Sequence, residues 1–215
     1  MVVPENPKIF HIVHVDHLAS IINDGGLFSD TIVSSRTDNY GTSIAMNHIK
    51  AGRRKKVIGG TSKGTVGEHV PFYFRPRSMM LYIIYKGNHL DTTYRDGQKH
   101  VVHLVSDMDR AIEWAEAHGK DWVFSDRNAS AGFAQFYANK KDLKELRWDL
   151  IPLRDFQTQQ VREAMQSEFL VGDNFDWELI TGIAVYDETT KRKVEAILEN
   201  VKHKPIVKVV KEWYY

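Results

Sequence analysis

The 215-residue chain is predicted to be a single α+β domain spanning residues 1–215, and three observations predict it. Short runs rich in β-branched and aromatic residues lie scattered among capped helical stretches. These do not alternate as regular strand-helix-strand units, so a doubly wound parallel sheet is not expected. The content, 42% hydrophobic and 27% charged, suits one sizeable soluble core and is too small for two comfortable ones.

The elements follow in chain order. IFHIVHV has strand character, and a helix from about Asp16 to Asp24 follows it, stopped by Gly25 and Gly26. Residues 29–42 are rich in Ser, Thr, Asp, Asn and Gly. TSIAMNHIKAGRR then reads as a short helix that delivers Arg53 and Arg54, exposed, at its C-terminal end. After the Gly/Lys-rich KKVIGGTSKGTVG comes VPFYFRPRSMMLYIIY, an aromatic core segment that Pro71 and Pro76 prevent from being one continuous helix. Two arginines inside such a run, Arg75 and Arg77, need a partner. VVHLV is a strand. SDMDRAIEWAEAHGK is a helix with a cap-like Ser106-x-x-Asp109 opening and a stop at Gly119. WVFS is the next strand, and DRNASAGFAQFYANKKD is polar and small with aromatic punctuation. A helix is expected from Thr158 to Ser167, then the strand that begins in QSEFLV. The chain closes with strand ITGIAVY, helix TTKRKVEAILEN and PIVKVVKEWYY, whose alternation fits an antiparallel edge strand.

Composition excludes several chemistries. With no cysteine, a disulfide framework, thiolate metal sites and a cysteine nucleophile are all excluded. The N-terminus lacks a signal-like pattern and no window approaches the ~20 apolar residues of a membrane span, so a cytoplasmic protein without membrane contact is expected. There is no phosphate-binding G-x-x-x-x-G-K-[ST], no dinucleotide G-x-G-x-x-G and no G-x-S-x-G elbow. His11 and His14, like His100 and His103, stand three apart. On a strand that spacing sends the members of each pair to opposite faces and argues against metal chelation.

Two features remain. Net charge is only +1, but residues 50–77 carry Lys50, Arg53, Arg54, Lys55, Lys56, Lys63, Arg75 and Arg77 against Glu68, a local +7 on a body of −6. That zone reads equally as a solvated loop or as an anion site. The second is Glu168, a lone acid one residue before an apolar triplet, at a helix-to-strand junction where a carboxylate can project into a cleft or simply sit exposed at a turn.

IFHIVHVDHLASIINDGGL, SIAMNHIKAGRR, VPFYFRPRSMMLYIIY, VFSDRN, QSEFLV, IAVY and the terminal WYY occur in an order, from Ile9 to Tyr215, that resembles the DarT family, the DNA ADP-ribosyltransferase toxins of bacterial DarT–DarG systems. The resemblance implies an ADP-ribosyltransferase-like split, mostly antiparallel sheet with surrounding helices, and NAD in the cleft between its halves. It implies transfer of ADP-ribose from NAD, as co-substrate and without a metal, to a base of single-stranded DNA, typically thymine. A DarG-like macrodomain antitoxin is the implied partner. By the same resemblance Glu168 falls on the catalytic glutamate, Arg53, or Arg54 after a one-residue shift, on the catalytic arginine, and His11 on the NAD-binding histidine, with Ile12 and Val13 beside it. Val13 stands where the family often has threonine, which leaves only backbone contact to the co-substrate there. Asn128 stands where relatives carry histidine.

For the DNA, Arg54, Arg75 and Arg77 of the basic zone, with Phe72, Tyr73 and Phe74, are candidate groove residues, of which one or two aromatics at most should meet bases. Asp126, Arg127 and Asn128 form a candidate wall for the target base. An RNA- or protein-directed transferase would share the cleft and differ in acceptor surface, and a silent single-strand-binding module would keep the basic zone and ignore NAD.

Overall fold

A proline in the middle of a sheet explains much of this architecture. The computed structural model describes residues 2–36, 44, 47–59, 64–89 and 94–215. In chain order the elements are β1 (Lys8–His14), α1 (Leu18–Asn23), β2 (Gly26–Phe28), α2 (Asp30–Ser35), α3 (Asn47–Lys55), β3 (His69–Tyr73) and α4 (Met79–Lys86). They continue with β4 (Val101–Asp107), α5 (Met108–Ala117), β5 (Trp122–Ser125), β6 (Phe136–Tyr137), α6 (Gln159–Ala164), β7 (Glu168–Gly172), β8 (Asn174–Asp176), β9 (Ile180–Val185), α7 (Glu188–Ile197) and β10 (Ile206–Val209). Among the described residues the main sheet has the order β10-β9-β4-β1-β3-β7-β5-β6, and β2 pairs with β8 beside it. No helix of the described residues is long and apolar enough to cross a membrane.

The expected split is a weak seam rather than a break. β1 pairs antiparallel with β4 along its whole length, from Lys8 opposite Asp107 to His14 opposite Val101, but meets β3 at one residue pair, Phe10 with Tyr73. Pro71 accounts for the difference. Its carbonyl faces β1, where the His11 ring takes it, and the amide that would face the same side is missing because proline has none. The ladder cannot zip past Tyr73, and the strands part there. On its other side β3 is fully paired with β7, placing Tyr73 opposite Glu168.

The rest of the sheet departs from expectation in two places. β10 is the edge strand but runs parallel to β9, because α7 forms a crossover between them, so the chain ends with one βαβ unit. Ser106 is not a helix cap: β4 runs on through Asp107, and the Ser106 hydroxyl donates to the Leu179 carbonyl at 2.6 Å. Asp107 stands at the N-cap of α5, and Gly119 ends that region with φ of 63°, a left-handed turn glycine enters without strain. The expected strands at 9–15, 101–105 and 122–125 and the helix beginning after Thr158 are present, with the Thr158 hydroxyl accepting from Val161 N. Of the helix expected at 42–54, Asn47–Lys55 is described. Residues 37–43 of the polar run, and 60–63 of the Gly/Lys segment with Lys63, lie outside the described residues.

The main core runs under both halves of the sheet, from Leu104 and Ile183 to the β3–β7–β5 half, where Phe72, Phe124 and Phe169, with Phe175 of β8, are fully buried. Each such aromatic contributes roughly 2–3 kcal/mol by burial, so this half is the firm bed against which Glu168 is held.

Candidate active site

Glu168 opens β7 and is 1% exposed, so its carboxylate must be paired. The Arg53 guanidinium and one backbone amide do this. Arg53 Nη1 lies 3.2 Å from Oε1 and Nη2 lies 2.9 Å from Oε2, the fork-to-fork arrangement that lysine cannot copy. The backbone N–H of Ala129 donates to Oε1 at 2.9 Å, and the Glu168 N–H donates to Ser125 Oγ at 3.3 Å, which fixes the start of the strand. The Arg53 side chain is 13% exposed, which corrects the expectation that both arginines leave the helix into solvent. Burial disfavours its charge, but the neighbouring Glu168 outweighs that and holds the guanidinium above its ordinary pKa. Nη2 makes no well-aligned hydrogen bond among the described residues despite its closeness to Oε2. Nη2 is thus paired with Glu168 by charge while its N–H capacity stays open to an incoming oxygen atom.

Arg53 is aimed by the helix it rides on. Asp30, in the first turn of α2, lies 3.4 Å from Lys50 Nζ and 3.2 Å from Arg54 Nη1, gripping one face of α3 at i and i+4. The opposite constraint is Gly67: a Cβ there would come within 2.7 Å of the Arg54 Cα, so only glycine lets the 66–68 turn approach α3 this closely. That turn is itself tied back, with Val66 N donating to Lys56 O at 2.8 Å and Ile58 N to Gly64 O at 3.1 Å. Arg54 is thereby turned toward Asp30 and solvent while Arg53 is turned toward Glu168.

His11 fills the parted seam. Its Nδ1 is 2.8 Å from the Pro71 carbonyl, and since a carbonyl only accepts, Nδ1 carries the proton. Burial depresses the imidazole pKa despite that bond, with the Arg53 charge adding to the effect, so the ring is neutral near pH 7 and Nε2 keeps its lone pair. Tyr73 opposite Glu168 is pushed up, by burial first and then by the Glu168 charge, and remains a protonated phenol. Glu168, Arg53, His11 and Tyr73 thus converge where β1, β3 and β7 meet the C-terminal end of α3. Among the described residues no group of three or more His, Asp or Glu could hold a metal ion.

The other candidates divide. Val13 is in the main core and Ile12 packs on the second cluster with Leu81 and Tyr214 on the opposite face. Their side chains are therefore occupied, and backbone contact alone is open to them. Arg75 is not a groove residue: it is buried and donates through Nη1 to the carbonyls of Ile151 and Leu153, both at 2.8 Å, and burial lowers its pKa. It braces the 151–153 turn. Arg77 lies with its guanidinium 4.2 Å over the Tyr215 ring, half-buried, a stacked cation rather than a free one. Phe72 and Phe74 are core residues, Phe72 packing edge-on behind the His11 ring at 5.6 Å, while Tyr73 stands opposite Glu168.

Asp126, Arg127 and Asn128 are knit together next to Glu168. Arg127 binds both Asp126 oxygens and reaches Glu163 at 2.9 Å. Asn128 accepts from Ser130 N at 2.9 Å and donates to Gln166 at 3.3 Å. Their polar groups shape the turn that presents Ala129 N–H to Glu168. Ala129, Ser125, Asp30 and Gly67 were missed by sequence reasoning. Ala129 acts through a backbone N–H common to all residues, Ser125 and Asp30 through side chains whose partners lie far off in sequence, and Gly67 stands out only as one glycine among several in KKVIGGTSKGTVG.

The sequence pattern of a family described as "ssDNA thymidine ADP-ribosyltransferase, DarT" matches residues 10–215. A DNA ADP-ribosyl transferase of Thermus aquaticus is 37% identical over 214 residues, covering 99% of this chain and 90% of that one. The solved structure of Thermus sp. 2.9 DarT in complex with ADP-ribosylated ssDNA superposes with a TM-score of 0.90 at 34% identity, covering 100% of this chain and 99% of that one. The same protein in complex with NAD+ superposes with a TM-score of 0.85 at 33% identity, covering 100% of both chains. The chain belongs to the DarT family of single-stranded-DNA thymidine ADP-ribosyltransferases.

Proposed function

We propose that this protein transfers ADP-ribose from NAD to a thymine base of single-stranded DNA, with Glu168 and Arg53 as catalytic residues and His11 orienting the co-substrate. The observation that carries the reading is the forked Arg53–Glu168 pair at the parted β1–β3 seam, with a neutral His11 beside it. In the reaction the bond between ribose C1′ and the nicotinamide nitrogen breaks and nicotinamide leaves with the bonding pair. A bond forms from a base nitrogen to C1′, and that nitrogen loses its proton. Positive charge builds on the ribose, and a carboxylate hydrogen-bonded to a ribose hydroxyl gains strength as it does so. Glu168 is the group for this, and it also serves as acceptor for the base proton, directly or through one water. Arg53, whose Nη2 is ion-paired with Glu168 but has N–H capacity to spare, steadies negative charge on the deprotonated base or on the pyrophosphate. The His11 Nε2 lone pair accepts from a ribose hydroxyl.

The basic residues at the end of α3 and just after it, Lys55 and Lys56, neutralise the DNA backbone, while the 126–128 turn borders the target base. Family membership supports the toxin role in a bacterial toxin–antitoxin or phage-defence pair, a DarG-like macrodomain antitoxin as partner, and the cytoplasm, where NAD and single-stranded DNA meet. Mass spectrometry of a thymine-containing single-stranded oligonucleotide incubated with enzyme and NAD tests the reading. One ADP-ribose is gained on the oligonucleotide and one nicotinamide released. Modification of RNA or protein with DNA untouched would overturn it.

A further inference from the structure

Phe133 is 86% exposed, although a buried phenylalanine contributes roughly 2–3 kcal/mol to stability, and the loop that displays it is built rather than slack. Asp126 closes its base, with Asp126 N donating to Gln135 O at 3.2 Å and Gln135 N donating to Asp126 Oδ1 at 3.0 Å. Inside, Ala131 N donates to Asn128 O at 2.9 Å and Ala134 N to Ala131 O at 3.2 Å, two successive turns that hold Gly132 and Phe133 at the tip. Two contacts tie this loop to the site. Ala129 N–H binds the Glu168 carboxylate at 2.9 Å, and the Gly132 carbonyl accepts from Lys56 Nζ at 3.2 Å, just beyond the helix that carries Arg53. A rigid loop therefore holds a flat apolar ring in water, four residues from a group that touches Glu168, with a lysine of the basic zone at its neck.

We infer that Phe133 is a base-stacking residue: its ring packs on a base of the single strand next to the nucleotide being modified, and Lys56 faces the adjoining backbone. Aromatic faces alternating with cations are what an unpaired strand requires, because every base offers a π-face and every link a charge. Ordering the loop in advance removes the entropy cost of fixing the ring at binding. The inference rests on the DNA-directed reading above and deepens it by naming a contact for a flanking base.

Phe133→Ala and Phe133→Trp test it, and since the side chain is exposed neither should alter folding. Binding of a fluorescein-labelled single-stranded thymine-containing oligonucleotide, measured by anisotropy without NAD, is expected to weaken about 10-fold or more in Phe133→Ala and to stay within about 2-fold in Phe133→Trp. The NAD-induced thermal shift should be unchanged in both. Removing one flanking base at a time, as abasic sites, should weaken wild-type binding strongly at one position and leave Phe133→Ala indifferent there. Equal affinity of wild type and Phe133→Ala, or equal sensitivity to every abasic site, overturns the inference. If wild type binds the oligonucleotide but never modifies it, the functional reading fails while these binding measurements still decide the role of Phe133.

Discussion

β1 has two neighbours, and they could hardly be treated more differently. Toward β4 every residue is paired, and His103 on that side, opposite Ile12, is sealed in the core with Nε2 on the Pro76 carbonyl at 2.9 Å. Toward β3 one pair closes, and His11 holds the Pro71 carbonyl at 2.8 Å. Both histidines spend one ring nitrogen on a proline carbonyl, and burial keeps both neutral near pH 7. They differ in their surroundings: Trp213 and Tyr214 rings close around the fully buried His103, whereas His11 has the Phe72 ring on one side and feels the charge of Arg53. The same side chain is sealed away where the ladder is complete and only partly covered where the ladder stops.

The sharpest way to break this comparison is at Glu168. Glu168→Gln keeps the shape and removes the charge, and transfer to a single-stranded oligonucleotide should fall by about a thousand-fold or more, read by mass spectrometry, with the fold retained. Glu168→Ala is a harsher change than an exposed acid would make it, because Arg53 is left buried without its partner; a stability loss of about 3 kcal/mol in urea titration is expected on top of the lost activity.

Next in size is the choice of arginine. Arg53→Lys loses the forked geometry and should lower turnover about 100-fold with NAD affinity changed only a few-fold. Arg54→Lys, at a position that faces Asp30, should lower turnover less than about 3-fold. The reverse order would transfer the assigned role to Arg54.

The scaffold seam has a pH signature. Burial lowers His103 from 6.5 to about 4, so between those values the unfolded chain binds the proton and the folded chain does not. Stability is therefore whole above about pH 6.5 and declines as pH falls toward 4, by about 3 kcal/mol for this residue, with His11 and His69 adding in the same direction. Denaturant titrations across that range should show the slope, and His103→Gln should flatten it. An unchanged slope would mean that another group sets the acid limit.

The smallest effect concerns the seam itself. Pro71→Val restores an amide facing β1, and a modest, several-fold loss of NAD affinity is expected as the seam draws together, with thermal stability equal or raised. Unaltered affinity would show that proline is not what keeps the strands apart.

Much of this was legible in the residues because local chemistry and fold agreed. IFHIVHV and EFLV are strands for the reasons their composition states, and Thr158 takes the cap position of the helix expected to start there, whereas the helix that Ser78 caps was read only as an aromatic core segment. The direction of the last strand was not legible, since alternation in PIVKVV reports half-burial and not which way a neighbour runs. Charge counting overstated the groove: Arg75 is consumed by two carbonyls and Lys50 and Arg54 by Asp30, pairings that depend on residues 20 to 78 positions away. The order QSEFLV raised the right question about Glu168, but its answer lies in a helix 115 residues upstream.

Pro71 has a final consequence, for kinetics. A gape that comes from proline's lack of an amide is written into the main chain, and on that account a dinucleotide is expected to enter without waiting for a minor open form. Entry should then follow simple second-order kinetics, rising linearly with concentration and without a plateau, and whatever slow step governs turnover should come after capture.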